Sequence, residues 1–168
     1  MITSKFIDKK GIEYTFEYHE CDDFNDLPQE RVKQVYGVCF TEPDKIVLGF
    51  GWFGGHEKSW GLIGGSIEKG ETIEETFIRE IQEESNMKVL DFTPIGYQKV
   101  TTEGKEPIYQ LRVSAKVEPF GDFVEDPAGG ITEIKIVDIK EYKNYFDWGE
   151  IGDAIIKRGY EISSKFFK

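Results

Sequence analysis

Glutamates stand at positions 68, 71, 74, 75, 80, 83 and 84, with Arg79 among them, in the stretch GGSIEKGETIEETFIREIQEESNMKV that runs from Gly64 to Val89. If residues 72–85 are helical, Glu80, Glu83 and Glu84 fall within an arc of about 100°, because i, i+3 and i+4 are surface neighbours. Ile73, Phe77 and Ile81 form the adjacent apolar stripe with Ile78 at its edge, so Glu84 projects toward packed protein. Two carboxylates about 5–6 Å apart repel by under ~1 kcal/mol in bulk water and by ~3 kcal/mol at an effective dielectric near 20. On an exposed helix the cost is only a few tenths of a kcal/mol, so a solvated, glutamate-rich face is the ordinary reading. The chemical reading is that the carboxylates converge on a divalent cation. Hard oxygen ligands at this spacing suit Mg²⁺ or Mn²⁺, completed by substrate phosphates. Gly64 and Gly65 let the backbone approach closely, so a carbonyl there can add a further oxygen.

The elements that must position these groups can be read on either side. Thr72-Ile73-Glu74-Glu75 has the spacing of a capping box, which predicts a helix opened by Thr72, running to Ser85 and ended by Asn86. Upstream, Lys5 to Asp8 and Glu13 to Tyr18 flank Lys10-Gly11 and predict an N-terminal hairpin. CDDFNDLPQE reads as a connecting loop, followed by strands at Val32 to Phe40 and Lys45 to Phe50 joined through Glu42-Pro43-Asp44. GFGWFGGHEKSWGLIGG reads as a loop interleaved with aromatics. Downstream, strands are predicted at Phe92 to Thr101 and Ile108 to Val117 around a turn at Glu103-Gly104. A long surface loop EPFGDFVEDPAGGIT follows, then a strand at Ile134 to Ile139 and an amphipathic helix over Glu150 to Ile162. No repeat, linker or low-complexity tract divides residues 1–168, which read as one domain.

The register of the acidic stretch is specific. Gly65, five residues, Glu71, seven residues, then Arg79-Glu80-Ile81-Gln82-Glu83-Glu84-Ser85-Asn86-Met87 resembles the Nudix box, G-x5-E-x7-R-E-U-x-E-E-x-G-U, where U is a bulky aliphatic. The box spans residues 65–87, leaving residues 1–30 as an N-terminal hairpin and loop. Three departures are visible. Asn86 replaces the final glycine, and Asn is the next most tolerated residue in a left-handed helix cap. Met87 replaces the last aliphatic, and Ile63 stands where the family often has proline. The resemblance implies an α/β fold, an α/β/α sandwich around a mixed β-sheet. It also implies hydrolysis of the pyrophosphate bond in a nucleoside diphosphate linked to another group, by metal-activated water attacking phosphorus.

By the same resemblance, the Gly65 carbonyl, Glu80 and Glu84 hold Mg²⁺ or Mn²⁺, and Glu83 is either a third ligand or the water-activating base. Arg79 and Glu71 join Glu83 in the catalytic set, with Arg79 orienting Glu71 and Glu83 through ion pairs rather than touching substrate. Glu133 is balanced between an extra ligand or base and an ordinary loop acid; Glu125 and Asp126 read as solvated loop acids. The alternative activity is a Nudix-fold module that binds a nucleotide or sugar nucleotide without hydrolysing it, and a third reading is an acidic interaction domain. No secondary signature selects one substrate among nucleoside diphosphate derivatives.

Trp52, Phe53 and Trp60 bracket the glycine-rich segment and could stack on a base, although packing explains each of them. His56 in that segment reads as a solvated histidine, and His19 is assigned no role. Tyr142, Tyr145, Phe146 and Trp148 read as packing against the sheet. A net charge of −11 over 168 residues disfavours a grip on long nucleic acid, which needs a basic face. It also calls for a local cation beside any anionic substrate. No run is long and apolar enough to cross a bilayer, and MITSKFIDKKG has no secretory apolar segment. Cys21 and Cys39 have no metal-ligand spacing and Cys39 sits in an apolar run, so a reducing cytoplasm is expected. The N-terminal hairpin could cover the core or exchange with a second copy in a homodimer.

Overall fold

A computed structural model of the chain describes residues 1–53 and 57–168; His56 lies outside the described residues. Strands β1 (Ile2–Ile7) and β2 (Glu13–Glu20) form the N-terminal hairpin, and β3 (Val32–Glu42) and β4 (Lys45–Gly51) form the next. After β5 (Ser59–Gly61) and β6 (Ile63–Ser66) comes helix α1 (Ile73–Ser85). Long strands β7 (Met87–Thr102) and β8 (Ile108–Pro119), then β9 (Ile131–Asp138) and helix α2 (Gly149–Ser163), complete the chain.

Among the described residues one sheet runs in the order β1-β2-β7-β8-β3-β4-β5, with β6 paired to β3 and β9 to β4. Every pairing is antiparallel except β3 with β8, which sets Tyr36 beside Arg112 and Gly37 beside Val113. That pair makes the sheet mixed. The hairpin does not stand apart: β2 pairs with β7 from Tyr14↔Thr102 to Glu20↔Gly96 and extends the chain's own sheet.

Each face of the sheet carries one helix, giving the α/β/α layering. On the α1 face, Val35, Cys39, Leu111, Val113 and Ala115 pack with Phe77 and Ile81. On the α2 face, Val38, Phe40, Leu62 and Ile95 pack with Ile151, Ile155 and Ile156. Alternation along β8 is the cause: odd positions from Leu111 to Val117 are apolar and meet α1, while Gln110, Arg112, Ser114 and Lys116 turn to the other face. Ser114 there donates to the carbonyl of Gly159 in α2 at 2.8 Å.

The glycine-rich segment is corrected. It contains β5 and β6 rather than a continuous loop, because β4 and β3 supply edge partners that override the low strand propensity of glycine. Gly51 is required there: a Cβ would lie 1.9 Å from the Gly130 carbonyl oxygen, so no larger residue lets the two segments meet. Tyr142 and Phe146 are buried, and Trp148, though 41% exposed, packs its ring 4.4 Å from that of Phe146 and against Gly61 of β5. No helix among the described residues is long and apolar enough to cross a membrane.

Candidate active site

Helix α1 begins as its sequence dictates. The Thr72 side chain accepts from the Glu75 amide at 3.1 Å, and the helix ends at Asn86 in the left-handed region, φ 52°, ψ 41°. The Asn86 side-chain amide also donates to the Asp122 carbonyl at 2.8 Å, tying the helix end to the loop 120–130. Phe77 and Ile81 anchor the buried stripe, and the acidic arc therefore faces β6 and that loop.

Arg79 is the hub of the arc. Its Nε and Nη2 donate to the two oxygens of Glu71 at 2.7 and 2.8 Å, a bidentate pair. Nη1 donates to Glu80 at 2.9 Å and to Glu83 at 3.2 Å, and Nη2 also reaches the Ser66 carbonyl at 3.1 Å. Glu71 further accepts from the Thr76 hydroxyl and the Glu68 amide. The Arg79 guanidinium and these donors hold the Glu71 carboxyl down at about 2. One guanidinium thus links the loop before the helix to two successive turns of it.

Glu80 lies against Gly65 so closely that a Cβ there would sit 2.3 Å from its carboxyl carbon, so a larger residue would displace the Glu80 carboxyl. Glu84 accepts from the Gly64 amide at 3.1 Å. Burial raises the Glu80 carboxyl above its usual range against the pull of Arg79, and burial pushes Glu84 up to about 8. Two desolvated carboxylates beside a glycine backbone are a hard-oxygen donor set that a divalent cation would suit. As the side chains are placed, no three acidic, histidine or cysteine groups among the described residues stand close enough to hold a metal. Arg79 occupies oxygens of Glu80 and Glu83 instead.

Beyond the helix the acids behave differently from one another. Asp126 is corrected: it is a buried carboxylate, not a solvated loop acid. It accepts from the Ala128 and Gly130 amides at 2.9 and 3.2 Å, folding the loop around itself, and its charge is felt at both Glu80 and Glu84. The DPAGG turn, with Asp followed by amides two and four residues on, is the sequence signal for such a self-closing loop. Glu125 is exposed and lines a surface groove with Arg79, Gln82 and Glu83. Glu133 lies within β9 rather than before it, exposed and paired with Phe50, and it makes no ion pair among the described residues.

A second cavity, of about 450 Å³, opens on the α2 face. Phe16, Tyr36, Phe53 and Trp148 line it together with Gln110 and Arg112. Sequence reading assigned no role to Arg112, because a lone arginine in an alternating strand looks like any solvent-facing position. Trp60, by contrast, packs at 5.2 Å from Phe50 and 5.6 Å from Tyr145. One strand pairing separates the cavity from the acidic arc: Tyr36, which lines the cavity, pairs with Gly64 across β3 and β6, and the Gly64 amide donates to Glu84.

The family model described as NUDIX domain matches residues 30–158. A comparison with curated proteins found no match. Among solved structures, a point mutant of the pyrophosphohydrolase BsRppH from Bacillus subtilis superposes with a TM-score of 0.68 at 16% identity, covering 98% of this chain and 99% of that one. A NUDIX hydrolase from Nitrosomonas europaea gives a TM-score of 0.62 at 21% identity over 76% of this chain and 87% of that one. A MutT structure from work on Aliivibrio salmonicida and Vibrio cholerae gives 0.57 at 20% identity, covering 79% and 98%. At these identities the likeness is one of fold.

Proposed function

This chain belongs to the Nudix family, and on that premise we propose that it is a metal-dependent hydrolase cleaving the pyrophosphate bond of a nucleoside diphosphate linked to another group. The observation that carries this reading is the Arg79 hub, which draws Glu71, Glu80 and Glu83 around one guanidinium beside the Gly64–Gly65 backbone. A merely solvated acidic face would have no need to enclose Glu84 or to press Glu80 onto a glycine.

In this reading Glu80, Glu84 and the Gly65 carbonyl hold a divalent cation, Mg²⁺ or Mn²⁺, and Glu133 is retained as a supplementary ligand only as a proposal. When bound, such a cation neutralises phosphate oxygens and lowers the pKa of water. Glu83, exposed at the mouth of the arc, takes the proton of the attacking water. The water oxygen bonds to phosphorus, the bridging P–O bond breaks, and two phosphate-terminated products leave. Arg79 and Glu71 are positioning residues: their bidentate pair fixes the side from which Glu83 meets the solvent.

The test is turnover of a panel containing ADP-ribose, sugar nucleotides, dinucleoside polyphosphates and normal and oxidised triphosphates, with and without Mg²⁺, beside Glu83→Gln. Metal-dependent release of products, reduced by about 10²-fold or more in the variant, supports the hydrolase. Silence across the panel with ligand-induced thermal stabilisation intact would instead identify a nucleotide-binding module.

A further inference from the structure

A groove of about 650 Å³ runs between one face of α1 and the loop 120–130, within the ~300–1,000 Å³ range of small-molecule sites. Glu75, Arg79 and Glu83 line it from successive turns of the helix, and Glu125 lines it from the loop. Its apolar lining is aliphatic, from Ile78, Val124 and Pro127, and the first two are 42% and 61% exposed. The loop wall is tied to the helix end. Asn86 accepts from the Phe120 amide at 3.0 Å and donates to the Asp122 carbonyl at 2.8 Å.

Charge decides what this groove takes. Arg79 is the one cation lining it among the described residues, and every N–H group of its guanidinium is already committed. Nε donates to Glu71, Nη1 to Glu80 and Glu83, and Nη2 to Glu71 and the Ser66 carbonyl. Glu75 and Glu125 are exposed and make no ion pair among the described residues. A phosphate placed here meets carboxylates without a free cationic donor, and such like-charge juxtaposition rejects a ligand. No aromatic ring lines the groove among the described residues, so a nucleobase or a quaternary ammonium lacks the ring it would pack on. Carboxylates accept from hydroxyls, and the aliphatic lining suits the C–H face of a sugar.

We propose that the groove seats the non-nucleoside half of the substrate and selects a neutral, hydroxyl-rich group there, so that nucleoside diphosphate sugars are preferred over nucleoside triphosphates and dinucleoside polyphosphates. The inference rests on the hydrolase reading. The groove shares Arg79 and Glu83 with the acidic arc, so the group joined to the distal phosphate of a diphosphate held at the arc enters it next. In a sugar nucleotide that group is uncharged, whereas in a triphosphate it is a further phosphate. Glu125 is the specificity-determining residue, because it lines the groove from outside the arc.

The test is kcat/KM with Mg²⁺ for ADP-glucose, ATP and diadenosine triphosphate, and for GDP-mannose and GTP, so that each ratio is taken at one base. The sugar nucleotide is expected to exceed the triphosphate of the same base by about tenfold or more. That ratio should shrink at high salt, which screens exposed charges. Glu125→Lys should bring it toward one by raising the triphosphate rate, with Glu125→Gln between the two. Should neither variant fold, the salt dependence of the wild type decides. A triphosphate or dinucleoside polyphosphate turned over as well as the sugar nucleotide, a ratio unmoved by salt, or a ratio unchanged in folded Glu125→Lys overturns the groove assignment and leaves the hydrolase standing. Preference for CDP-ethanolamine over CDP-glucose does the same, by showing that the carboxylates select a cation. Absence of turnover for every nucleotide overturns the hydrolase reading instead, and the same ratios are then read as calorimetric affinities with Mg²⁺. Equal affinities, or no binding, overturn the groove assignment as well.

Discussion

Single side chains in the acidic arc do opposite things for stability and for the proposed chemistry. Glu84 is a carboxyl group in a desolvated place whose only hydrogen-bond donor among the described residues is the Gly64 amide. Raised to about 8, its carboxyl is mostly protonated at neutral pH in the metal-free protein, so Gln keeps an acceptor for that amide and removes the cost of taking up that proton on folding. Glu84→Gln is therefore expected to stabilise the metal-free protein by on the order of 1–3 kcal/mol, measured by urea denaturation in chelator. The same variant should lose the rise in melting temperature that Mg²⁺ gives the wild type. A destabilised metal-free variant would mean that the carboxylate is better solvated than its burial suggests.

Helix α1 is held by its ends as well as by its apolar stripe. Asn86 is the only non-glycine residue with positive φ among the described residues, and its side chain anchors the loop 120–130 through Asp122. Asn86→Ala removes the anchor and places a Cβ-bearing residue with no local hydrogen bond in the left-handed region. Its cost should be about 1–2 kcal/mol. Asn86→Gly loses only the anchor, so its denaturation midpoint should fall between that of the alanine variant and that of the wild type. Equal midpoints for the two variants would show that the backbone conformation carries none of the cost. The element thus explains why asparagine can stand where the Nudix box has glycine: it tolerates the cap and binds the loop that brings Asp126 to the site.

Across the whole molecule the ion-pair hub sets a pH limit. The Glu71 carboxyl lies near 2 in the folded chain, below its ordinary 4.5, so the folded state binds fewer protons than the unfolded one in that interval. The stabilisation is complete above about 4.5 and is lost as pH falls toward about 2. Melting temperature recorded against pH should fall across this window, and Glu71→Gln should start lower at neutral pH and fall less steeply. Parallel curves for the two proteins would assign the acid transition to other carboxylates. The same hub joins the loop before α1 to the helix itself, so loss of the pair also loosens the approach to Glu80 and Glu83.

Local rules made much of this protein readable from its residues alone. Thr72 and Asn86 bounded the helix because capping depends on a few adjacent groups, and the i, i+3, i+4 spacing placed Glu80, Glu83 and Glu84 on one arc for the same reason. The strands around them followed from alternation, within a few residues at each end. Contacts between distant segments were not readable. The parallel pairing of β3 with β8 set Tyr36 beside Arg112, and β4 and β3 turned a glycine-rich segment into strands. Asp126 became a buried acid only when its loop closed beneath Gly130. Burial is a property of what packs against a residue, so the sequence determined which groups carry charge, and the tertiary structure alone decided which charges are left without water.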